Sequence, residues 1–170
     1  MIRPMNTNFF NSLTSFIKKR TFELLGLLLI FLSIFLSISF ITYSPNDPSF
    51  IYGQENTLIE NFFGIYGSRI SDFLLQSFGL TSFLILITLV SWGLNLILNK
   101  EFKNILLKIF FSLIYIMCGC TYIYINFNNS FWLIDNGNSG FLGEILYSHI
   151  QGQLLFLENR YTNFFLIFFS

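Results

Sequence analysis

Charge is what this 170-residue sequence most lacks. Only 11% of its residues are charged, nine basic and nine acidic, and the formal net charge is zero. An average soluble domain carries about 25% charged residues. At 54% apolar residues the chain cannot clothe a water-facing surface, which excludes an ordinary soluble enzyme. High hydrophobicity equally excludes a disordered chain. Without excess positive charge, a basic nucleic-acid-binding domain is excluded too. There is no alanine and a single valine, Val90; this bias carries no functional content. No Gly-Lys pair occurs, so there is no phosphate-cradling loop of the Gly-Lys-Ser/Thr type. The only cysteines are Cys118 and Cys120. Two positions apart on a helix, they point about 200° from each other and cannot share a metal. They are expected to pack as small apolar residues. His149 is the only histidine, and it has no second ligand at a metal-binding spacing. Ionisable groups in mid-span, which an ion or proton path requires, are missing as well.

What is present is phenylalanine, 24 residues of it, and long runs without charge. Charges are absent from 24–46, 73–99 and 109–134. Each gap holds an apolar stretch near the roughly 20 residues that cross a bilayer core as a helix. The pattern predicts an all-α, polytopic membrane helical bundle with spans at about 24–42, 80–98 and 109–125. A last apolar run, Phe164 to Phe169, stops at Ser170. Its length, about 9 Å as a helix, is a fraction of the membrane. It is expected to be a fourth span from about 164, cut short. The expected organisation is a basic leader over 1–20, then a membrane domain over 21–170.

Basic and acidic segments alternate along the chain. Arg3, Lys18, Lys19 and Arg20 precede the first span, and Lys100, Lys103 and Lys108 lie in the connection 99–108. Asp47, Glu55, Glu60 and Asp72 fall in 43–79, and Asp135, Glu144 and Glu158 in 126–163. Basic segments stay cytoplasmic, so the N-terminus is expected inside and the two acidic loops outside. A cleaved signal peptide fits less well. Its apolar core is normally 7–15 residues, and no Ala-x-Ala site exists here.

Both external loops carry turn chemistry. The first opens with Tyr43, Pro45, Asp47, Pro48 and Ser49. The prolines end the helix, and Asp47 and Ser49 are expected to bond nearby amides and fix a turn. Tyr43 suits the interface. Further on, Asn61 is followed by Gly64, Gly67 and Ser68, then by Ile70, Asp72, Phe73, Leu74 and Ser77 at helical spacing. Small residues three and four apart share a helix side and permit close approach. This predicts a short interfacial helix turning into the second span near Phe78 and Gly79. The second loop repeats the spacing with Gly140 and Gly143, so two similar helical hairpins, 21–98 and 105 onward, are expected. Ser33, Ser37, Ser112 and Gly119 are expected to seat neighbouring helices.

The ordered set Tyr43, Pro45, Asp47, Pro48, Ser49, Asn61, Gly64, Gly67, Asp72, Phe78 and Gly79 resembles the N-terminal four-span membrane domain of the FtsK/SpoIIIE DNA translocases. Gly140 and Gly143 resemble the glycine pair preceding that family's fourth span. The sequence departs at Ser68, where the family often has alanine. It departs again over 157–159, where a Phe-Gly-like element is usual. The resemblance implies a bacterial inner-membrane anchor at the division septum, oligomeric and in contact with other divisome membrane proteins. It implies no direct nucleic-acid binding by this chain. ATP, Mg and DNA translocation belong to a motor domain outside this sequence, so no enzyme activity, cofactor or metal is expected here. The alternatives are a stand-alone membrane scaffold or assembly factor and, less well supported, a small transporter or channel subunit.

Overall fold

The computed structural model describes residues 7–50, 59–99, 103–129, 133 and 136–153, with backbone alone for 7–10, 152 and 153. The expected fourth span and the 157–159 element lie outside the described residues. Regular structure among the described residues is helical throughout. It comprises α1 Thr7–Ile41, α2 Gly64–Phe78, α3 Ser82–Asn99, α4 Ile105–Phe127 and α5 Gly140–Gln153. A 3-10 turn, Gly79–Thr81, joins α2 to α3. Three stretches, Asn11–Ile41, Gly64–Asn99 and Ile105–Phe127, are long and apolar enough to cross a membrane. The fold is a helical membrane bundle.

Burial is inverted relative to a water-soluble protein. Ser33, Ser39, Ser68, Ser71, Ser82, Thr81 and Ser139 are almost fully buried, whereas Phe31, Ile41, Ile87, Leu98, Leu106 and Phe111 are exposed. Lipid tails are as apolar as leucine, so helices in a bilayer associate through small and polar residues. Other hydroxyls donate to the carbonyl four positions back in their own segment. Ser39 Oγ donates to Phe35 O at 2.9 Å, Thr42 Oγ1 to Ile38 O at 2.8 Å and Thr121 Oγ1 to Met117 O at 2.9 Å. This satisfies polar groups where water is absent.

α1 is 35 residues long, about 52 Å by helical rise, and it continues through the basic stretch that precedes the first apolar run. It packs antiparallel against α3. A Cβ on Gly26 would lie 2.6 Å from Gly93 O, and one on Gly93 would lie 2.7 Å from Ile30 Cγ1. The two backbones therefore cross where neither residue has a side chain. Further along, Ser33 Oγ donates to Leu86 O at 3.1 Å. At the far end, the end where α1 finishes, the Phe40 and Phe83 rings meet edge-on at 5.4 Å.

Of the four small residues expected to seat helices, two do so. Ser33 bonds across to α3, and a Cβ on Gly119 would lie 2.8 Å from Thr81 Cγ2. Ser37 and Ser112 instead bond within their own helices, to Ser33 O at 2.8 Å and Ile109 O at 2.7 Å. α4 stands apart from the α1–α3 pair. Its apolar window is 11% buried, against 28% and 33% for the other two spans. It touches the rest mainly near its C-terminal end, where Cys120 Sγ reaches Thr81 Oγ1 at 3.3 Å and Phe78 O at 3.5 Å. Both cysteines are free.

Candidate functional site

The residues singled out by their order in the sequence converge at the far end of the bundle. The chain leaves α1 through Tyr43 and Ser44, and Asp47 N donates to Ser44 O at 3.2 Å. Asp47 was expected to fix a local turn. Its carboxylate instead reaches across the loop, accepting from Glu60 N and Asn61 N, both at 2.9 Å. A carboxylate that accepts two backbone N–H groups makes two charge-assisted bonds. Here they clamp the two ends of the connection between α1 and α2.

Asn61 is the hub of that clamp and is 4% exposed. Its Nδ2 donates to Ser39 O at 2.9 Å and Thr42 O at 3.3 Å. These are carbonyls of α1's last turn and of the residue that follows it, among those a helix end leaves unpartnered. Its Oδ1 accepts from Phe63 N at 3.1 Å, and its carbonyl accepts from Gly64 N at 2.9 Å. The Phe63 ring stacks on Phe35 at a centroid distance of 4.5 Å, six positions before the end of α1. The connection therefore returns toward the bundle before α2 starts.

Gly64 and Gly67 serve different ends. Gly64 has φ +61° and open space where a Cβ would stand. It supplies a left-handed conformation that other residues rarely take, not the close approach expected from spacing. Gly67 supplies the approach, since a Cβ there would collide with Asn61 Oδ1 and lie 2.8 Å from Phe63 Cβ. Ser68 Oγ donates to Pro48 O at 2.7 Å and holds the Pro48–Ser49 segment against α2. Pro48 and Ser49 are buried and Pro45 is exposed.

Asp72 joins this end to the second half of the chain. It accepts from Tyr43 Oη at 3.1 Å, and Tyr43 Oη accepts from Gln76 Nε2 at 3.2 Å. Gln76 Oε1 accepts from Asn136 Nδ2 at 2.9 Å. The relay runs from α1's exit through α2 to the connection between α4 and α5. Beside it lies a cleft of about 680 Å³ whose lining includes Tyr43, Asp47, Asp72, Gln76, Asn136 and Phe141.

The second connection is organised around Asn128. Its Oδ1 accepts from Ser139 N at 3.2 Å and Ser139 Oγ at 2.8 Å. Asn138 Nδ2 donates to Phe127 O at 2.7 Å and to Asn129 O at 2.9 Å. Gly140 starts α5 at φ +63°, and Gly143 sits where a Cβ would lie 2.8 Å from Cys120 O. The two halves lock together at Gly79 and Gly140. Leu80 N donates to Asn138 O at 2.8 Å. Gly79 has φ +58°, and a Cβ there would collide with Asn138 O. A Cβ on Gly140 would lie 2.5 Å from Ser77 O. Phe78 contributes its carbonyl to the Cys120 contact described above.

Sequence reasoning missed Asn128, Gln76 paired with Asn136, and the Gly26–Gly93 crossing. The last had a readable signal, a lone glycine inside each of two apolar spans. The others had none, since amide side chains are common in helices and loops alike. Among the described residues, no group of three or more His, Cys, Asp or Glu side chains is placed to hold a metal. The site's chemistry is that of a hydrogen-bonded platform with an open cleft.

Known proteins match this chain over most of its length. The family model for the 4TM region of DNA translocase FtsK/SpoIIIE matches residues 18–166. DNA translocase FtsK of Rickettsia typhi is 34% identical over 84 residues, which cover 49% of this chain and 11% of that protein. DNA translocase FtsK of Azospirillum brasilense is 30% identical over 102 residues, 59% of this chain and 16% of that protein. DNA translocase FtsK of Vibrio vulnificus is 32% identical over 122 residues, 68% of this chain and 12% of that protein. The matched part thus spans between 11% and 16% of the length of these curated relatives. No solved structure matches the chain.

Proposed function

The chain belongs to the family of the 4TM region of the FtsK/SpoIIIE DNA translocases, and from that premise we propose that it anchors an FtsK-like motor and recruits it to the division septum. The observation that carries the reading is the convergence of the family-like residues. Tyr43, Asp47, Asn61, Gly67, Asp72 and Gly79 come together at one end of a membrane bundle, in a single bonded platform. A membrane anchor needs only its spans. A folded platform beyond them suits an anchor that also engages partners.

In this reading the chain lies in the bacterial inner membrane with its N-terminus in the cytoplasm, where Lys18, Lys19, Arg20, Lys103 and Lys108 satisfy the positive-inside rule. The platform then faces outward. Its partners are other divisome membrane proteins and further copies of the chain. ATP and Mg serve the motor, and the 170 residues themselves bind no nucleic acid and catalyse no reaction.

The test is localisation. The chain fused at its N-terminus to a fluorescent protein should form a band at midcell in dividing bacteria. The Gly79→Ala chain should still reach the envelope but lose the band. Uniform envelope fluorescence from the unaltered chain overturns septal recruitment and leaves a general anchor.

A further inference from the structure

We propose that α1 is the surface on which a second copy of this chain docks, helix against parallel helix. Leu13, Ile17, Leu24, Leu27, Phe31 and Ile34 are each 40–65% exposed. Their spacing alternates four and three, with Arg20 filling the one gap. That is a seven-residue repeat held for about three heptads, the seam along which helices pair. The line runs down the side of α1 opposite Gly26 and Ser33, which face α3. At about 100° per residue, Ser15, Lys18 and Lys19 fall on the α3 side, so Arg20 is the one charge on the seam. It is matched by Glu23, 2.5 Å away on the same helix.

The occupant follows from height. About 20 residues of helix cross the hydrocarbon core, and counted back from Ile41 they end at Phe22. Leu13 lies nine positions further. That is about 14 Å by helical rise, whereas the headgroup layer is about 5–8 Å deep. α3 does not reach it. Antiparallel packing through Gly26 and Gly93 leaves Asn99, where α3 ends, level with Arg20. The seam thus leaves the bilayer without changing face. Acyl chains can cover the line from Leu24 to Ile34 but not Leu13. A second α1 covers all of it, because every copy inserted the same way presents the same residues at the same height. Charge permits the pairing. Lys18 and Lys19 stand away from the seam, and Glu23 compensates Arg20. A polar residue at a single seam position also fixes the register of two parallel helices.

The inference deepens the anchor reading and rests on it in one respect, that all copies enter the bilayer in one orientation. The full chain in bacterial membranes is oxidised with copper phenanthroline, the unaltered chain serving as the blank for Cys118 and Cys120. Leu13→Cys and Ile17→Cys should each form a disulfide-linked dimer about tenfold faster than Ser15→Cys, which stands across a helix about 10 Å wide, too far for a disulfide. Leu24→Cys should continue the pattern inside the bilayer. Leu13→Asp combined with Ile17→Asp should remove most of the energy transfer between copies labelled at the N-terminus, and Ser15→Asp should not. If the paired aspartates disturb the helix, the cysteine rates decide. Equal rates at Leu13→Cys and Ser15→Cys overturn the proposal. So does a Leu13→Cys chain that is shielded from a membrane-impermeant maleimide yet yields no dimer, since the stripe then lies on lipid. A midcell band from a chain that does not cross-link overturns this inference alone. Cross-linking in a chain that spreads evenly over the envelope overturns septal recruitment and leaves the α1 pairing in place.

Discussion

The connection from α1 to α2 and the connection from α4 to α5 are two versions of one device, and they differ in what they lean on. Both begin a helix at a left-handed glycine, Gly64 at φ +61° and Gly140 at φ +63°. In both, the glycine N–H donates to the carbonyl three residues back, Asn61 O at 2.9 Å and Gly137 O at 3.3 Å. Both place a second glycine three positions later against a polar side chain, Gly67 on Asn61 and Gly143 on Ser139. The first connection is self-contained, since Asn61 bonds to α1 and to its own loop, and open space faces Gly64. The second is built against the first, with Gly140 pressed on the Ser77 carbonyl. One glycine spacing thus does two jobs: in one place it sets a backbone conformation, and in the other it makes a joint between halves.

Substitution separates those jobs. The largest effect is expected at the joint. Gly79→Ala and Gly140→Ala each combine a strained φ with backbone collision and should cost about 3 kcal/mol or more in detergent unfolding. If Gly140→Ala were tolerated like a surface change, the joint would not exist. Next are the two hubs. Asn61→Ala strands the Ser39 and Thr42 carbonyls and the Phe63 amide and should cost about 2–3 kcal/mol, whereas Asn128→Ala, which takes the Oδ1 acceptor from Ser139 N and Oγ, should cost about 1–2 kcal/mol. Equal losses would erase the distinction between them. Gly67→Leu should cost about 1–3 kcal/mol by forcing Asn61 aside, and should weaken septal recruitment with it. Asp47→Ala releases Glu60 N and Asn61 N, so protease should cut the 48–60 loop several-fold faster, while Asp47→Asn, which keeps one acceptor and turns a donor toward the other amide, should fall between the two. The smallest effect is Gly64→Ala, about 1 kcal/mol, for the left-handed conformation alone. A loss there as large as at Gly140 would mean that both turns are joints.

The comparison also explains what could be read in advance. The spans were legible because charge-free runs of this length have one physical solution in a bilayer. The short helix after Asn61 and its break at Gly79 were legible from glycine placement and helical spacing. The α5 helix was legible as an echo of the first. Partners distant in the chain were not legible. Gln76 and Asn136 are 60 positions apart, and nothing in either neighbourhood marks the pairing. Asp47 reaches Asn61 across 14 positions, although its local setting suggested a turn nearby. Gly64 looks like a packing residue from its spacing, because spacing alone cannot distinguish a missing side chain from a permitted φ.

The dependence of the second connection on the first sets an order of events during synthesis. Asn61, Asp47, Tyr43 and Asp72 make bonds that close within residues 39–76. The first hairpin therefore carries the bonds of its own connection while α4 is still being made, and Gln76 and Leu80 N meet Asn136 and Asn138 afterwards. The second hairpin closes its own loop through Asn128 and Asn138, but its Gly140 turn also packs on a carbonyl of the first. Insertion in the direction of translation thus presents the template before the copy that needs it. A chain whose Gly79 turn is late or misformed leaves the second hairpin with nothing to dock on.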